Sequence, residues 1–190
     1  IIGKFYDNHS LSIINREVAI RLGNKEKYPN IELMITPIDQ YDSQYKLNKT
    51  VLQSLKELEA KEVEADIQIR HTYPPIWRWP AHKKTKIIYI QPWEYTKIPF
   101  EWQYKFEQFA DFLVTPSSWS MNNFLNAGLS PAKAAVIPNG YDPLIFDGSK
   151  RVNKTYNAEN KFTFVYVGNA QYRKGLDILL NAWKEATSRD

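Results

Sequence analysis

The sequence predicts an α/β fold built on a mostly parallel sheet. Three observations lead there. Apolar runs of four to six residues alternate with stretches of helical periodicity. The runs are too short for helices, and each ends in a polar or Pro-containing loop. Strands that alternate with helices are joined by right-handed crossovers and therefore run parallel.

The elements follow in order. Leu11, Ile14, Val18 and Leu22 recur at helical spacing, with Asn15, Arg16 and Arg21 off that face. Asn8 or Ser10 is placed to cap this helix. Residues 31–36 read as a strand closed by Pro37. Val51, Leu55 and Leu58 mark a helix running to about Glu64. Residues 67–71 form a strand that enters an aromatic, Pro-rich loop at 72–80, and 87–91 form the next. Trp102, Phe106 and Phe109 give a helix face. A strand at 112–115 leads through Pro116-Ser117-Ser118 into a helix that stops near Gly128, and 134–137 is a strand ended by Pro138-Asn139-Gly140. In such sheets ligands sit outside the carboxyl ends of the strands, which points to the segments from His71, Gln91, Ser117 and Asn139.

The pattern fails over 142–161, a polar stretch that reads as an interdomain linker. The expected division is a first domain over 1–150, then over 151–190 a linker and the first strand and helix of a second domain. Residues 162–167 read as its strand. Leu176, Leu179, Leu180 and Trp183 form its helix face. One strand and one helix bury no core, so the chain reads as a fragment of a larger protein. It begins at Ile1 and not Met, which leaves room for a preceding strand or signal.

Composition narrows the chemistry. With 43% hydrophobic residues the chain can bury a core. There is no cysteine, so a disulfide scaffold and a thiolate metal site are excluded and the cytoplasm is the expected location. The net charge of +4 suits a polyanionic small ligand or an anionic membrane surface. Lys and Arg are scattered and not striped, which argues against nucleic acid. No run of about 18 apolar residues exists to span a bilayer. Asn8-His9-Ser10, Asn48-Lys49-Thr50 and Asn153-Lys154-Thr155 match the glycosylation sequon by chance in a chain rich in Asn and Lys. His9, His71 and His82 are far apart, and no Asp-x-Asp is present, so no metal site is expected.

Several residues have both a functional and a structural reading. Gly168 to Gly175 joins a strand to a helix, whose free N–H groups and dipole suit a phosphate; Arg173 and Lys174 add charge there, or form a solvated basic turn. Asn8, His9 and Ser10 open the first helix. His9 can donate to a phosphate or a sugar hydroxyl, or simply lie on the surface. His71 ends a strand, as a site residue or as part of the core. Tyr73, Trp77, Trp79 and Trp93 offer faces for sugars, or pack. Glu94 can accept an acceptor-hydroxyl bond, or serve a loop salt bridge.

Taken together, the segments resemble the GT-B, family-4-like glycosyltransferases (glycosyl transferases group 1). The residues that carry the likeness are Asp7-Asn8-His9-Ser10-Leu11-Ser12 with Asn15-Arg16-Glu17, then Arg70-His71-Thr72-Tyr73-Pro74-Pro75, and Gln91-Pro92-Trp93-Glu94-Tyr95 with Pro99 and Trp102. They continue through Pro116-Ser117-Ser118, Val136-Ile137-Pro138-Asn139-Gly140-Tyr141-Asp142 with Phe146, and Val167-Gly168 with Arg173-Lys174-Gly175-Leu176-Asp177-Ile178-Leu179-Leu180.

The resemblance implies two Rossmann-like, doubly wound domains facing across a cleft. The N-terminal one would bind a glycan or lipid-linked acceptor, the C-terminal one a nucleotide-diphosphate sugar. Transfer would be retaining and metal-independent, with no cofactor beyond that donor substrate. The protein would work in the cytoplasm, in peripheral contact with the inner face of the membrane. By the same carry-over His9, Glu94 and His71 would be catalytic. Lys174, Arg173, Asn8, Ser10 and Gly168 would hold the donor, with the first-helix start closing onto its diphosphate. The family usually has Gly-Arg where this chain has Gly168-Asn169, which leaves Arg173 to supply that charge. An epimerase of the same fold and a non-catalytic carbohydrate-binding domain are the competing readings.

Overall fold

The computed structural model describes residues 1–149 and 164–188. Contacts divide the chain into two compact units, Ile1–Tyr141 and Asp142–Asp190. The expected boundary between 150 and 151 lies outside the described residues.

The first unit holds six parallel strands: β1 (Ile2–Gly3), β2 (Thr36–Pro37), β3 (Ile67–His71), β4 (Lys86–Ile90), β5 (Phe112–Thr115) and β6 (Ala134–Val136), in the spatial order β2-β1-β3-β4-β5-β6. Four helices connect them: α1 (Ser10–Leu22), α2 (Lys49–Glu59), α3 (Phe100–Phe109) and α4 (Ser118–Asn126). This is a Rossmann-like, doubly wound sheet, and its two faces can be told apart by register. Gly3 pairs with His71, and Arg70 pairs with Tyr89, which pairs with Leu113. Neighbours in register share a face, while Arg70 and His71, being adjacent, point to opposite faces. A Cβ on Gly3 would meet Asn15 of α1, so α1 covers the Gly3–His71 face. Tyr89, Ile87 and Leu113 pack with Trp102, Phe106 and Phe124, so α3 and α4 cover the other. A second cluster, Phe5, Tyr6, Ala19, Ile35, Leu55 and Leu58, closes the β2 end.

Three expectations are corrected here. The buried face of α1 is Ser12, Asn15, Arg16 and Ala19, not Leu11, Ile14, Val18 and Leu22, which are only partly buried. The reason is close approach: α1 lies against Gly3, where only small or hydrogen-bonding side chains fit. The strand expected at 31–36 shrinks to Thr36–Pro37, because its partner β1 is itself two residues long. β1 was hidden at the chain start for the same reason. The second helix ends at Glu59, short of Glu64.

In the second unit, residues 164–167 carry no strand pairing, and 162–163 lie outside the described residues. A strand without a partner ladder is not stable. Tyr172–Lys174 form a 3-10 turn, and Gly175, at φ +64°, starts α5 (Leu176–Thr187). The left-handed backbone there is the reason a glycine stands at that turn. Leu179, Leu180 and Trp183 are exposed, and Phe164 meets Trp183 edge-on at 5.0 Å.

Candidate functional site

The strand order reverses direction between β1 and β3, and the crevice beyond their carboxyl ends is where such sheets take ligands. The β1–α1 loop and the His71 end of β3 meet there.

The loop is held from both sides. The carboxylate of Asp39, just past β2, accepts from the amides of Phe5 (2.8 Å), Tyr6 (2.8 Å) and Asp7 (3.2 Å). The buried Arg16 guanidinium donates to the carbonyls of Phe5 (2.7 Å) and Asp7 (2.6 Å). Tyr6 donates its hydroxyl to Glu59 at 2.6 Å; burial, then that carboxylate, push its pKa up to about 12.

The capping expected of Asn8 or Ser10 is not made, and Asp7 instead holds the turn that leads into α1. It accepts from the His9 amide at 2.9 Å and from the Ser12 hydroxyl, and Lys4 lies 3.2 Å away. Burial pushes the Asp7 carboxyl up, but these bonds outweigh it and hold it below the usual range. His9 is the N-cap by backbone geometry, and its side chain makes no capping bond. Asn8, His9 and Ser10 are therefore all exposed at the start of α1.

His71 is 1% exposed. Asn15 Nδ2 donates to the Lys4 carbonyl (3.0 Å) and the His71 carbonyl (3.3 Å), which fixes the orientation of the amide. Asn15 Oδ1 then faces His71 Nδ1 at 2.8 Å and must accept from it. The proton of the neutral ring is thus on Nδ1, and Nε2 is a bare acceptor, buried with no partner. Burial lowers the pKa of His71 to about 4, so the ring is neutral near pH 7. Gly3 makes the arrangement possible, because a Cβ there would lie 2.3 Å from Asn15 Nδ2.

The other expected residues are placed as follows. Glu94 is exposed in the loop after β4, a strand that lies two places from β1 in the sheet. Gln91 is buried and donates to the Pro92 carbonyl. Ser117 caps α4, and Ser120 accepts from the Trp93 amide. The aromatic loop divides. Trp77 packs on Phe106 (4.8 Å) and Tyr89 (5.5 Å), and Trp93 on Trp102 (5.0 Å), so both belong to the core. Tyr73 and Trp79 are each 61% exposed. Lys174, Arg173 and Gly168 are exposed in the second unit.

The structure thus joins His71 to Asn15 and gathers Asn8, His9 and Ser10 at one corner. Sequence reasoning missed Gly3 and Asp39, and it named Asn15 and Arg16 only as part of a motif off the apolar face of the first helix, with no part in the site. The spacing Ser12, Asn15, Arg16, Ala19 was a helical face in its own right, of polar and small residues. A separate cleft of about 500 Å³ is lined by Phe100, Gln103, Tyr104 and Glu107, but that carboxylate is paired with Lys133. Among the described residues no group of three His, Cys, Asp or Glu side chains is placed to hold a metal ion, and no helix is long and apolar enough to cross a membrane. No protein-family model, curated protein or solved structure matches the chain.

Proposed function

We propose that this chain is the acceptor-side part of a glycosyltransferase that moves a sugar from a nucleotide-diphosphate sugar to a glycan or lipid-linked acceptor, retaining and without a metal. The observation that carries the reading is the meeting of two motif segments, 7–12 and 70–75, at the β1/β3 reversal of a parallel sheet. The resemblance to family-4-like enzymes rests on those same segments.

In this reading the exposed side chains of Asn8 and Ser10 hydrogen-bond the donor. His9 is the candidate to touch the reacting hydroxyl, and Glu94 accepts from another. His71 holds its place through Asn15 and stays neutral. The leaving diphosphate is the charge that must be stabilised. Lys174 and Arg173, with the amides around Gly168 and the start of α5, supply donors for it; one such donor is worth about 3 kcal/mol of barrier.

The test is a release assay on the full-length protein. It is offered UDP- and GDP-sugars with and without candidate acceptors. Acceptor-dependent release of the nucleoside diphosphate supports transfer. An altered sugar nucleotide without release supports epimerisation, and neither outcome supports a binding domain; both would overturn the proposal.

A further inference from the structure

The geometry points to a second saccharide site on the opposite edge of the sheet: a cleft between the amino ends of β4 and β5 that takes one acidic sugar residue of a glycan acceptor. The inference rests on the proposed transferase reading only in calling that glycan an acceptor, since binding of the sugar needs no transfer.

The cleft encloses about 240 Å³, and its walls include Trp79, Pro80, Lys83, Thr85, Lys86 and Asp111. That is below the range for a drug-sized ligand and suits a single ring. Lys86 opens β4 and Asp111 directly precedes β5, so the cleft lies away from the strand ends that carry His71 and Gln91. Trp79 lies nearly face to face with Phe109, with centroids 4.6 Å and planes 33° apart, and is still 61% exposed. One face of the indole is therefore backed and held, while the other is open. A fixed, open indole face is a platform for the C–H face of a sugar, and the adjoining Pro80 keeps the ordering cost low.

The polar groups of the cleft match a sugar. Asp111 accepts from Lys86 Nζ at 2.8 Å and from the Ile87 amide at 2.9 Å. An acceptor and a donor side by side complement two neighbouring hydroxyls, each of which both donates and accepts. The Thr85 hydroxyl donates to the Ala65 carbonyl at 2.7 Å, and the Thr85 amide donates to the His82 carbonyl at 3.1 Å. These bonds pin the turn that carries Lys83.

Charge sets the class of sugar. Lys86 is matched by Asp111, and His82 lies 3.3 Å from Glu64. Arg78, Lys83 and Lys84 are exposed, and among the described residues their side chains make no ion pair. No Asp or Glu occurs between Asp66 and Glu94. The excess is positive, with Lys83 on the cleft wall, so the sugar that fits carries a carboxylate. A lipid surface fits less well, because it is flat and this indole lines a cleft that also holds a carboxylate.

The probe is tri-galacturonate, titrated by calorimetry into the full-length protein as wild type, Trp79→Ala and Lys83→Gln. Maltotriose, uridine monophosphate and phosphatidylglycerol vesicles are the other arms. Wild type should bind tri-galacturonate, and Trp79→Ala should weaken that binding about tenfold, as loss of an aromatic anchor does. Lys83→Gln should weaken it about threefold, the size of an exposed ion pair, and should reduce its sensitivity to salt. Maltotriose, which leaves all three cations unmatched, should bind about tenfold more weakly than tri-galacturonate. If Trp79→Ala does not fold, Lys83→Gln and the maltotriose arm decide. Tri-galacturonate that is not bound, or is bound equally by wild type and both variants, would overturn the inference. So would maltotriose bound as tightly, uridine monophosphate bound more tightly, or vesicle binding that Trp79→Ala abolishes and tri-galacturonate does not displace. No sugar nucleotide is used, so a failed transferase assay leaves this result standing, and a failed titration leaves the transferase assay standing.

Discussion

Replacing His71 with asparagine should remove a large part of the acid sensitivity of the first unit. The ring is buried, neutral and joined to Asn15 only through Nδ1. Its pKa in the fold is about 4, against 6.5 when free. As pH falls below 6.5 the unfolded chain therefore takes up a proton that the folded chain refuses. The stability tied to this residue is complete above pH 6.5 and is lost progressively down to pH 4. A gap of this size corresponds to roughly 3 kcal/mol, with a limiting slope of about 1.4 kcal/mol per pH unit. Asparagine retains a donor near the Nδ1 position and does not titrate. The cavity it leaves costs a pH-independent amount, which cancels from the slope. Urea unfolding of both proteins, repeated from pH 7.5 to 4.5, gives the difference directly, and the carboxylates common to both also cancel. Wild type should lose stability relative to the variant as the pH falls. A difference that stays flat across this range would refute the argument, because it would mean that the folded protein protonates His71 as readily as the unfolded chain.

Gly3→Ala should lower Tm by roughly 5–10 °C, since the new Cβ would stand 2.3 Å from Asn15 Nδ2 and 2.8 Å from the His71 carbonyl, and overpacking with a displaced hydrogen bond costs about 2–4 kcal/mol; thermal melts check this. Trp77→Ala should cost about 3 kcal/mol in urea unfolding because four rings pack on Trp77, whereas Trp79→Ala, at a position 61% exposed, should cost less than about 1.5 kcal/mol. Lys174→Ala in the full-length protein should lower kcat/KM by roughly 10²–10³-fold; a loss below about threefold would make Lys174 a solvated turn residue.

The parts of the fold that hydropathy could reveal are those held by hydropathy. β4 and β5 are apolar runs long enough to read, β3 shows Ile67 and Ile69 two residues apart, and α3 shows its buried Trp102 and Phe106 at helical spacing. β1 and β2 pair over two residues each, too few for any pattern to register. The buried face of α1 was misread because it meets a glycine and the open carbonyls of Lys4, Phe5, Asp7 and His71 at the ends of β1 and β3, which reward hydrogen-bonding capacity over apolar area. The site divides in the same way. His71 stands at a strand end, so the topology rule found it, and Asn8, His9 and Ser10 stand at a helix start. Asp39 lay beyond reach, because its partners are 32 to 34 residues away and a lone Asp in a loop carries no local sign of them.

The same device holds both loops at the reversal point, once on each face of the sheet. On the α1 face, Arg16 binds the carbonyls of Phe5 and Asp7 and fixes the loop after β1. On the opposite face, the fully buried Arg70 donates to the Ile76 carbonyl (2.8 Å) and the Tyr89 hydroxyl (2.9 Å), and Tyr89 in turn donates to Ile76 at 2.7 Å, which fixes the loop after β3. Arg70 is bonded to neutral acceptors, Gln68 among them. Burying a guanidinium in this way is costly unless its donors are met, and backbone carbonyls at strand ends are strong acceptors that must themselves be met. Each arginine satisfies both needs at once. An apolar contact tolerates sliding by a few tenths of an ångström, whereas a multiply bonded guanidinium does not. The edge from which Asn8, His9, Ser10 and Tyr73 project is therefore set by directional bonds beneath it, so a ligand at this corner meets side chains on a pre-formed backbone.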